Sequence, residues 1–125
     1  MPISQTDIDA LEARINSQLS TYNAQFIMTV HFSADRLNDA RNVPPITIEE
    51  LDTIFSSLIS QHITAIVALN HGDTFNIRCL KSHINMPCAV AKESENNGSI
   101  THKNIVITVM RKENFYAKDP IEFTV

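Results

Sequence analysis

The stretch ITIEELDTIFSSLI (residues 46–59) carries the clearest helix start in the chain. Thr47 stands three residues before Glu50, the spacing of a capping box, in which each side chain accepts a hydrogen bond from the other residue's backbone N–H. Ile46 and Leu51 flank this pair at the positions of a hydrophobic staple. The sequence therefore predicts a helix that begins after Thr47. Its apolar stripe consists of Leu51, Ile54, Phe55, Leu58 and Ile59.

The chain before this helix is expected to form a helix and then a strand. Apolar residues recur at steps of three and four over residues 8–22, and Ser4 or Thr6 is expected to cap that helix. From Gln25 the apolar period changes to two, which is typical of a strand with one buried face. On this interpretation His31 lies on the face opposite the phenylalanines.

The chain after the capped helix is expected to form strands, because the helical period ends near His62 and turn residues then separate short apolar segments. The turn Asn70–Asp73 is expected to join the first two strands as a hairpin. Pro87 falls inside the third strand and indicates a sheet edge or a bulge, because proline cannot donate a ladder hydrogen bond. The four predicted strands are residues 63–69, 75–80, 84–91 and 105–110.

Length and composition are typical of one folded, soluble domain that spans residues 1–125. The chain has 125 residues, of which 43% are hydrophobic and 19% are charged. The order of the elements predicts an α+β fold, with two N-terminal helical segments and a mostly antiparallel sheet of four to five strands.

Several classes of function are excluded or disfavoured by the composition. Gly72 and Gly98 are the two glycines of the chain, so no glycine-rich phosphate loop can form. A net charge of −4 argues against broad electrostatic capture of nucleic acid and leaves a local basic patch open. There is neither a long apolar run nor a signal-peptide pattern, so we expect a cytoplasmic protein with no membrane partner.

No metal site or cofactor is expected from the histidines and cysteines. The chain has no HExxH and no CxxC motif, so the compact spacings of zinc ligands are missing. Cys79 and Cys88 are expected to be reduced core residues, because the chain shows no sign of export to an oxidising compartment.

The stretch HFSADRLNDARN (residues 31–42) contains the candidate chemistry of the chain. An imidazole exchanges protons near neutral pH, and a guanidinium matches the shape and charge of a phosphate. His31, Arg36 and Arg41 therefore fit metal-independent RNA cleavage, in which a base takes the ribose 2′-OH proton, arginines hold the phosphate and an acid protonates the 5′-oxygen. The competing interpretation is that Asp35, Asp39, Arg36 and Arg41 form a solvated, salt-bridged loop and that His31 is an ordinary strand residue.

Four stretches of the chain, HFSADRLNDARNVPPITIEEL, SHINMPCAV, ITVMRKENF and DPIEFTV, resemble a family of small bacteriophage proteins. The resemblance runs from about residue 26 to the C-terminus, and its most specific parts are HFxxDRxNDxRN and TVMRKxNF. These phage proteins are grouped with the barnase, colicin and RelE-like ribonuclease fold. The resemblance implies a ribonuclease-like core at residues 25–125 and an added N-terminal helix at residues 1–24, which covers the sheet or mediates dimerisation.

The resemblance also implies an activity, that of a metal-independent endoribonuclease acting on RNA in the infected bacterial cell. His31, Arg36 and Arg41 match the basic signature of the family and take the catalytic roles. Arg111 and Lys112 match its cluster on the final strand, where they either clamp a phosphate or blunt an exposed edge.

The expected substrate-binding set is completed by two asparagines, Asn42 and Asn85. Asn85 lies close to Pro87 and either binds a nucleobase or sugar or stitches a bulge. The chain departs from the family pattern at His83, where relatives have an acidic residue, and at Cys88, where they have phenylalanine. The departure at His83 and the acidic net charge favour a second hypothesis, a non-catalytic phage protein that binds a host protein or is a minor virion component. A monomer and a homodimer are both open.

Overall fold

A computed structural model of the chain describes residues 3–113, 115 and 120–125. Asn114 of the TVMRKxNF stretch and Asp119 of DPIEFTV therefore lie outside the described residues. The fold is α+β, as predicted. Its helices are α1 (Gln5–Leu19) and α2 (Ile48–Val67), and a short π-helix spans His31–Arg36. The strands of the described residues are β1 (Ala24–Met28), β2 (Thr74–Arg78), β3 (Ile84–Ser94), β4 (Ile100–Val106), β5 (Met110–Arg111) and β6 (Glu122–Thr124).

The strands form one mixed sheet in the order β1-β4-β3-β2-β6, with β5 also paired to β3. The central pairings are antiparallel, whereas β1 pairs with β4 and β6 pairs with β2 in parallel. The predicted sheet of four to five strands was therefore too small, since the described residues contain six. β5 and β6 were missed because two or three residues are too few to show an alternating pattern.

Helix α2 continues through Val67, so the predicted strand at residues 63–69 and its hairpin were wrong. Ile63 and Ile66 are buried and continue the helical stripe, but their β-branched side chains resemble a strand in a short window. The predicted turn does exist, because Asp73 N–H donates to Asn70 O at 3.0 Å. It joins α2 to β2 instead of joining two strands.

The strand predicted from Gln25 ends at Met28, and the chain then turns into the π-helix. The hydroxyl of Thr29 accepts a hydrogen bond from Phe32 N–H at 3.1 Å, which favours a helical turn at this point. Val30 is consequently 77% exposed, while Phe32 is buried. His31 therefore lies on a helical turn and not on the outer face of a strand.

Pro87 lies in a central strand and not at a sheet edge, but the alternative prediction of a bulge fits the pairing, because residues 107–109 stand opposite residues 86–87, one residue more. The carbonyl of Pro87 accepts a hydrogen bond from Ile107 N–H at 3.0 Å. A continued ladder would also need an N–H of residue 87 to donate to Ile107 O, but β4 ends one residue earlier, at Val106. On the other side, Asn76 lies opposite Pro87 and directs its own N–H to Ile121 O. The missing N–H of proline therefore leaves no ladder partner unpaired. This ending also divides the predicted strand 105–110 between β4 and β5.

The hydrophobic core lies between the helices and one face of the sheet. Phe26 of β1 packs edge-on against Phe55 of α2 with ring centroids 5.2 Å apart, and Phe75 packs against Phe123 at 5.4 Å. Among the described residues, no helix combines the length and the apolar character that a bilayer crossing requires.

Helix α1 protects the outer edge of β1. Ser4 caps the helix in a capping box with Asp7. The amide of Asn16 accepts from Phe26 N–H at 2.8 Å and donates to Phe26 O at 3.1 Å, as a neighbouring strand would. Glu12 accepts from Met28 N–H at 2.8 Å. Of the two roles expected for this helix, the structure shows coverage of the sheet at its β1 edge.

Substitution Asn16→Ala is expected to lower the free energy of unfolding by about 1–2 kcal/mol, because two backbone groups of Phe26 lose their partner. Chemical denaturation measures this change. Gln18→Ala on the exposed side of α1 is the matched control and should leave the midpoint nearly unchanged. Equal effects of the two substitutions would show that Asn16 does not protect the strand edge.

A polar pair, His102 and Asn104, is buried on the helix-covered face of β4. His102 Nε2 lies 2.8 Å from Asn104 Oδ1, and His102 Nδ1 has no hydrogen-bond partner among the described residues. Burial lowers the pKa of His102, and the charge of Lys92 lowers it further, against the opposing effect of the bond to Asn104. The folded state therefore favours the neutral imidazole.

The lowered pKa of His102 predicts a loss of stability in acid. The unfolded chain takes up the proton near pH 6.5, before the folded chain does, so the free energy of unfolding falls as the pH drops below that value. His102→Gln should flatten this dependence between about pH 7.5 and pH 5.5. His83→Gln, at an exposed position, should keep the wild-type slope. An unchanged slope in His102→Gln would contradict the assignment.

Candidate functional site

A cavity of about 490 Å³ opens between the π-helix, the loop that follows it and residues 108–112. We call it the His31 cavity. Residues far apart in the sequence meet here, and six of the seven predicted site residues border the cavity; Asn85 does not. The six are His31, Arg36, Arg41, Asn42, Arg111 and Lys112.

His31 is held by charged groups on both ring nitrogens. Its Nδ1 lies 3.3 Å from Asp35 Oδ2, and its Nε2 accepts a hydrogen bond from Arg36 Nε at 3.1 Å. This pattern assigns the ring proton to Nδ1 and leaves Nε2 as the acceptor. The side chain is 46% exposed, so the imidazole is accessible to a ligand. Nε2 of His31 can act as a proton acceptor when a ligand displaces the bond from Arg36.

The π-helix explains why both charged neighbours reach the same imidazole. Leu37 N–H donates to Phe32 O, five residues earlier, at 2.9 Å. This wider turn contains one residue more than an α-helical turn. Asp35 and Arg36, four and five residues after His31, therefore both lie beside the ring. The sequence pattern did not predict this geometry.

Arg41 is paired with Asp39, a cavity residue that the sequence analysis did not assign to the site. Arg41 donates to the Asp39 carboxylate from Nε at 3.1 Å and from Nη2 at 2.9 Å. Arg36 Nη1 lies 3.8 Å from the same carboxylate. Hydrogen bonds from the Arg41 side chain and backbone hold the pKa of Asp39 well below its usual range, so the carboxylate stays ionised. Asp39 belongs to no recognised sequence motif, but its position between Arg36 and Arg41 in the sequence indicates that it can pair with either arginine.

Arg111 makes structural bonds that occupy its guanidinium. Its side chain is 8% exposed and donates to three backbone carbonyls and one carboxylate. The acceptors are Pro44 O at 2.7 Å, Ser82 O at 2.7 Å, Pro45 O at 3.2 Å and Glu50 Oε1 at 2.6 Å. Both predicted roles of Arg111, the phosphate clamp and the exposed edge, disagree with this burial.

Glu50 links Arg111 to the start of α2. Its carboxylate accepts from Thr47 N–H at 3.0 Å, and Thr47 Oγ1 accepts from Glu50 N–H at 3.1 Å, which confirms the predicted capping box. Burial alone would raise the pKa of Glu50, but the hydrogen bonds from Arg111 and Thr47 outweigh burial and lower it. The carboxylate therefore stays ionised opposite Arg111.

The side chains of Asn42 and Asn85 also form hydrogen bonds that join parts of the fold. Asn42 donates to Arg36 O at 2.9 Å and accepts from Arg111 N–H at 2.9 Å, so it joins the π-helix region to β5. Asn85 is fully buried, accepts from Asn76 at 3.1 Å and donates to His83 O at 3.3 Å. These bonds leave the two amides with backbone and core partners, in place of the predicted contacts to RNA.

Lys112 is the predicted site residue that remains available at the cavity. Its side chain is exposed, and its ammonium group makes no hydrogen bond or ion pair with the described residues. Its backbone N–H donates to His83 O at 2.9 Å, which fixes the chain on which the side chain is carried. Lys112 therefore contributes an unneutralised positive charge to the His31 cavity.

Arg111 also borders a second cavity of about 640 Å³, between the start of α2 and the turn that joins β2 to β3. Its lining includes Glu49, Glu113, Lys81 and His83. His83 has a backbone φ of 61°, which is uncommon for a residue other than glycine. In the described part of the chain, no group of three or more histidine, cysteine, aspartate or glutamate side chains is arranged to hold a metal ion.

Comparison with protein-family models, with curated proteins and with solved structures gave no match for the chain. The side chains at the His31 cavity therefore provide the chemical evidence for a function.

Substitution Arg111→Met is expected to lower the free energy of unfolding by roughly 2–4 kcal/mol, because Glu50 and three carbonyls lose their donor. Arg41→Met should leave the midpoint of chemical denaturation nearly unchanged, because that side chain is 75% exposed. Chemical denaturation of the two variants gives the comparison. A small effect at Arg111 together with a large effect at Arg41 would contradict the structural role of Arg111.

Proposed function

We propose that the chain is a metal-independent endoribonuclease of bacteriophage origin, with a core of the barnase and RelE-like kind, that acts on RNA in the cytoplasm of the bacterial host. The observation that carries the proposal is the imidazole of His31, held between Asp35 and Arg36 at a cavity that Arg41 and Lys112 also border. These groups supply a proton acceptor and the positive charge that a phosphate requires.

The proton acceptor in this proposal is Nε2 of His31. In the free chain, Arg36 Nε donates to that nitrogen. A bound phosphate attracts the guanidinium of Arg36, so Nε2 becomes free to accept the ribose 2′-OH proton. Asp35 beside Nδ1 stabilises the imidazolium that forms. When RNA binds, Arg36 thus leaves Nε2 of His31 for the phosphate, and Nε2 takes the ribose 2′-OH as its new partner.

The bond changes follow from attack by the ribose oxygen. The 2′-oxygen forms a bond to phosphorus, the bond from phosphorus to the 5′-oxygen breaks, and the products are a 2′,3′-cyclic phosphate and a 5′-hydroxyl. Arg36 and Arg41 offset the charge of the phosphorane. The ammonium group of Lys112, which has no partner among the described residues, donates the proton that converts the departing 5′-oxygen to the hydroxyl. The reaction needs no metal and no cofactor.

The alternative is a non-catalytic phage protein that uses the same cavity to bind a host protein or a virion component. The observation that favours it is the pairing inside the free chain, in which Arg36 donates a hydrogen bond to Nε2 of His31 and the Asp39 carboxylate accepts two hydrogen bonds from the Arg41 side chain. Of the three predicted catalytic side chains, none is without a protein partner. Single-turnover kinetics separate the two proposals.

Substitution His31→Ala is expected to lower single-turnover RNA cleavage by ~10²–10⁴-fold, the usual contribution of a general acid or base. Its melting temperature should stay close to that of the wild type, because the side chain is exposed. Product analysis should show 2′,3′-cyclic phosphate ends, and EDTA should leave the rate unchanged.

The matched control is His71→Ala, in the turn before β2 and outside the lining of the His31 cavity, which should cleave at the wild-type rate. Wild-type cleavage that EDTA abolishes and magnesium restores would contradict the mechanism. No cleavage of a broad RNA panel by the wild type would contradict the activity itself and favour the binding protein.

A further inference from the structure

The carboxylate of Asp39 lies where two arginines of the His31 cavity converge. It accepts two bonds from Arg41, and Arg36 Nη1 is 3.8 Å away. We propose that Arg36 and Arg41 form a phosphate subsite that Asp39 occupies in the free chain, so that Asp39 sets the affinity of the cavity for anions. The inference rests on the proposed function in taking an RNA phosphate as the natural ligand.

The pairing has the geometry with which arginine binds a phosphate. Nε and Nη2 of Arg41 reach the two oxygens of Asp39 separately, at 3.1 and 2.9 Å, as a two-pronged contact. Arginine makes the same parallel pair of bonds to two oxygens of a phosphate. The carboxylate is therefore a smaller anion in a position that suits a phosphate.

The backbone holds Asp39 in this position. Asp39 N–H donates to Arg36 O at 3.2 Å, and Arg41 N–H donates to Asp39 Oδ1 at 2.8 Å. Both arginines are thereby tied to the loop that carries the carboxylate. The local concentration of this internal anion is high, because it is part of the same short turn.

The exposures of the two partners differ in a way that permits exchange. The side chain of Asp39 is 22% exposed, whereas that of Arg41 is 75% exposed. The guanidinium of Arg41 lies on the solvent side of the pair and can turn toward a ligand without uncovering apolar core. An arriving phosphate must outcompete Asp39 for Arg41, so a single weak anion is disfavoured relative to an RNA chain that also contacts Lys112.

The variant Asp39→Asn tests the proposal, because its amide oxygen can still accept from Arg41 N–H while the negative charge is removed. Titration with inorganic phosphate, followed by calorimetry or by the NMR signals of the arginine Nε–H groups, should give an affinity on the order of fivefold tighter than that of the wild type. The same direction is expected for binding of single-stranded RNA.

Three comparisons separate this subsite from other effects. Asp9→Asn on α1 makes the same change in net charge outside the lining of the cavity and should not change phosphate affinity. In an Arg41→Met background, Asp39→Asn should lose most of its gain. Asp39→Ser, which keeps a side-chain acceptor for the turn, repeats the test if the asparagine variant does not fold.

The outcomes are distinct. Tighter phosphate binding that depends on Arg41 supports the subsite, and it still does so if no variant cleaves RNA, in which case the ribonuclease proposal alone fails. Unchanged or weaker phosphate binding in folded Asp39→Asn and Asp39→Ser overturns the subsite. A gain of equal size in Asp9→Asn also overturns it, because it would be an effect of net charge.

Discussion

The guanidinium of Arg111 connects the parts of the molecule that build the His31 cavity. It is almost fully buried and donates to the Pro44-Pro45 segment, to the turn before β3 and to Glu50 at the start of α2. Such a buried charge is tolerated because each of its three nitrogens donates to an acceptor. Since Asn42 binds the backbone of both Arg111 and Arg36, the same connection fixes the loop after the π-helix. Arg111 therefore holds together the chain segments that border the cavity.

The second constraint is the π-helix at His31–Arg36, which places a carboxylate and a guanidinium on one imidazole. π-Helical turns are uncommon and are frequent at functional sites, because the additional residue redirects side chains. Here the additional residue lets neighbours in sequence converge on a single ring. The charges of the cavity are then nearly balanced by internal pairs, with Lys112 as the unpaired cation among its described lining residues. An anionic ligand must rearrange these pairs when it binds.

The sequence was sufficient where a local rule operates. The capping box at Thr47 and Glu50 and the apolar stripes of both helices followed from residue spacing. The grouping of Arg111 and Lys112 with His31 was an expectation from the family resemblance, and all three residues border the His31 cavity. The sequence was not sufficient where tertiary contacts override a local pattern, as in the last turn of α2. The roles of Arg111 and Asn85 depend on burial, and an arginine or asparagine has the same sequence signature whether it binds a ligand or a carbonyl. The pairs of Asp39 with Arg36 and Arg41 match the salt-bridged loop that the sequence offered as the competing interpretation.

The most direct test of the account is the structure of the chain with a 2′-fluoro oligoribonucleotide, in which the attacking hydroxyl is replaced and cleavage cannot occur. The account predicts a phosphate in the His31 cavity, contacted by Arg36 and Arg41, with the adjacent 2′-fluorine directed toward Nε2 of His31. Arg111 should keep its bonds to Glu50 and to the Pro44-Pro45 segment. An oligonucleotide bound elsewhere on the surface, with His31 and Arg36 still joined as in the free chain, would contradict it.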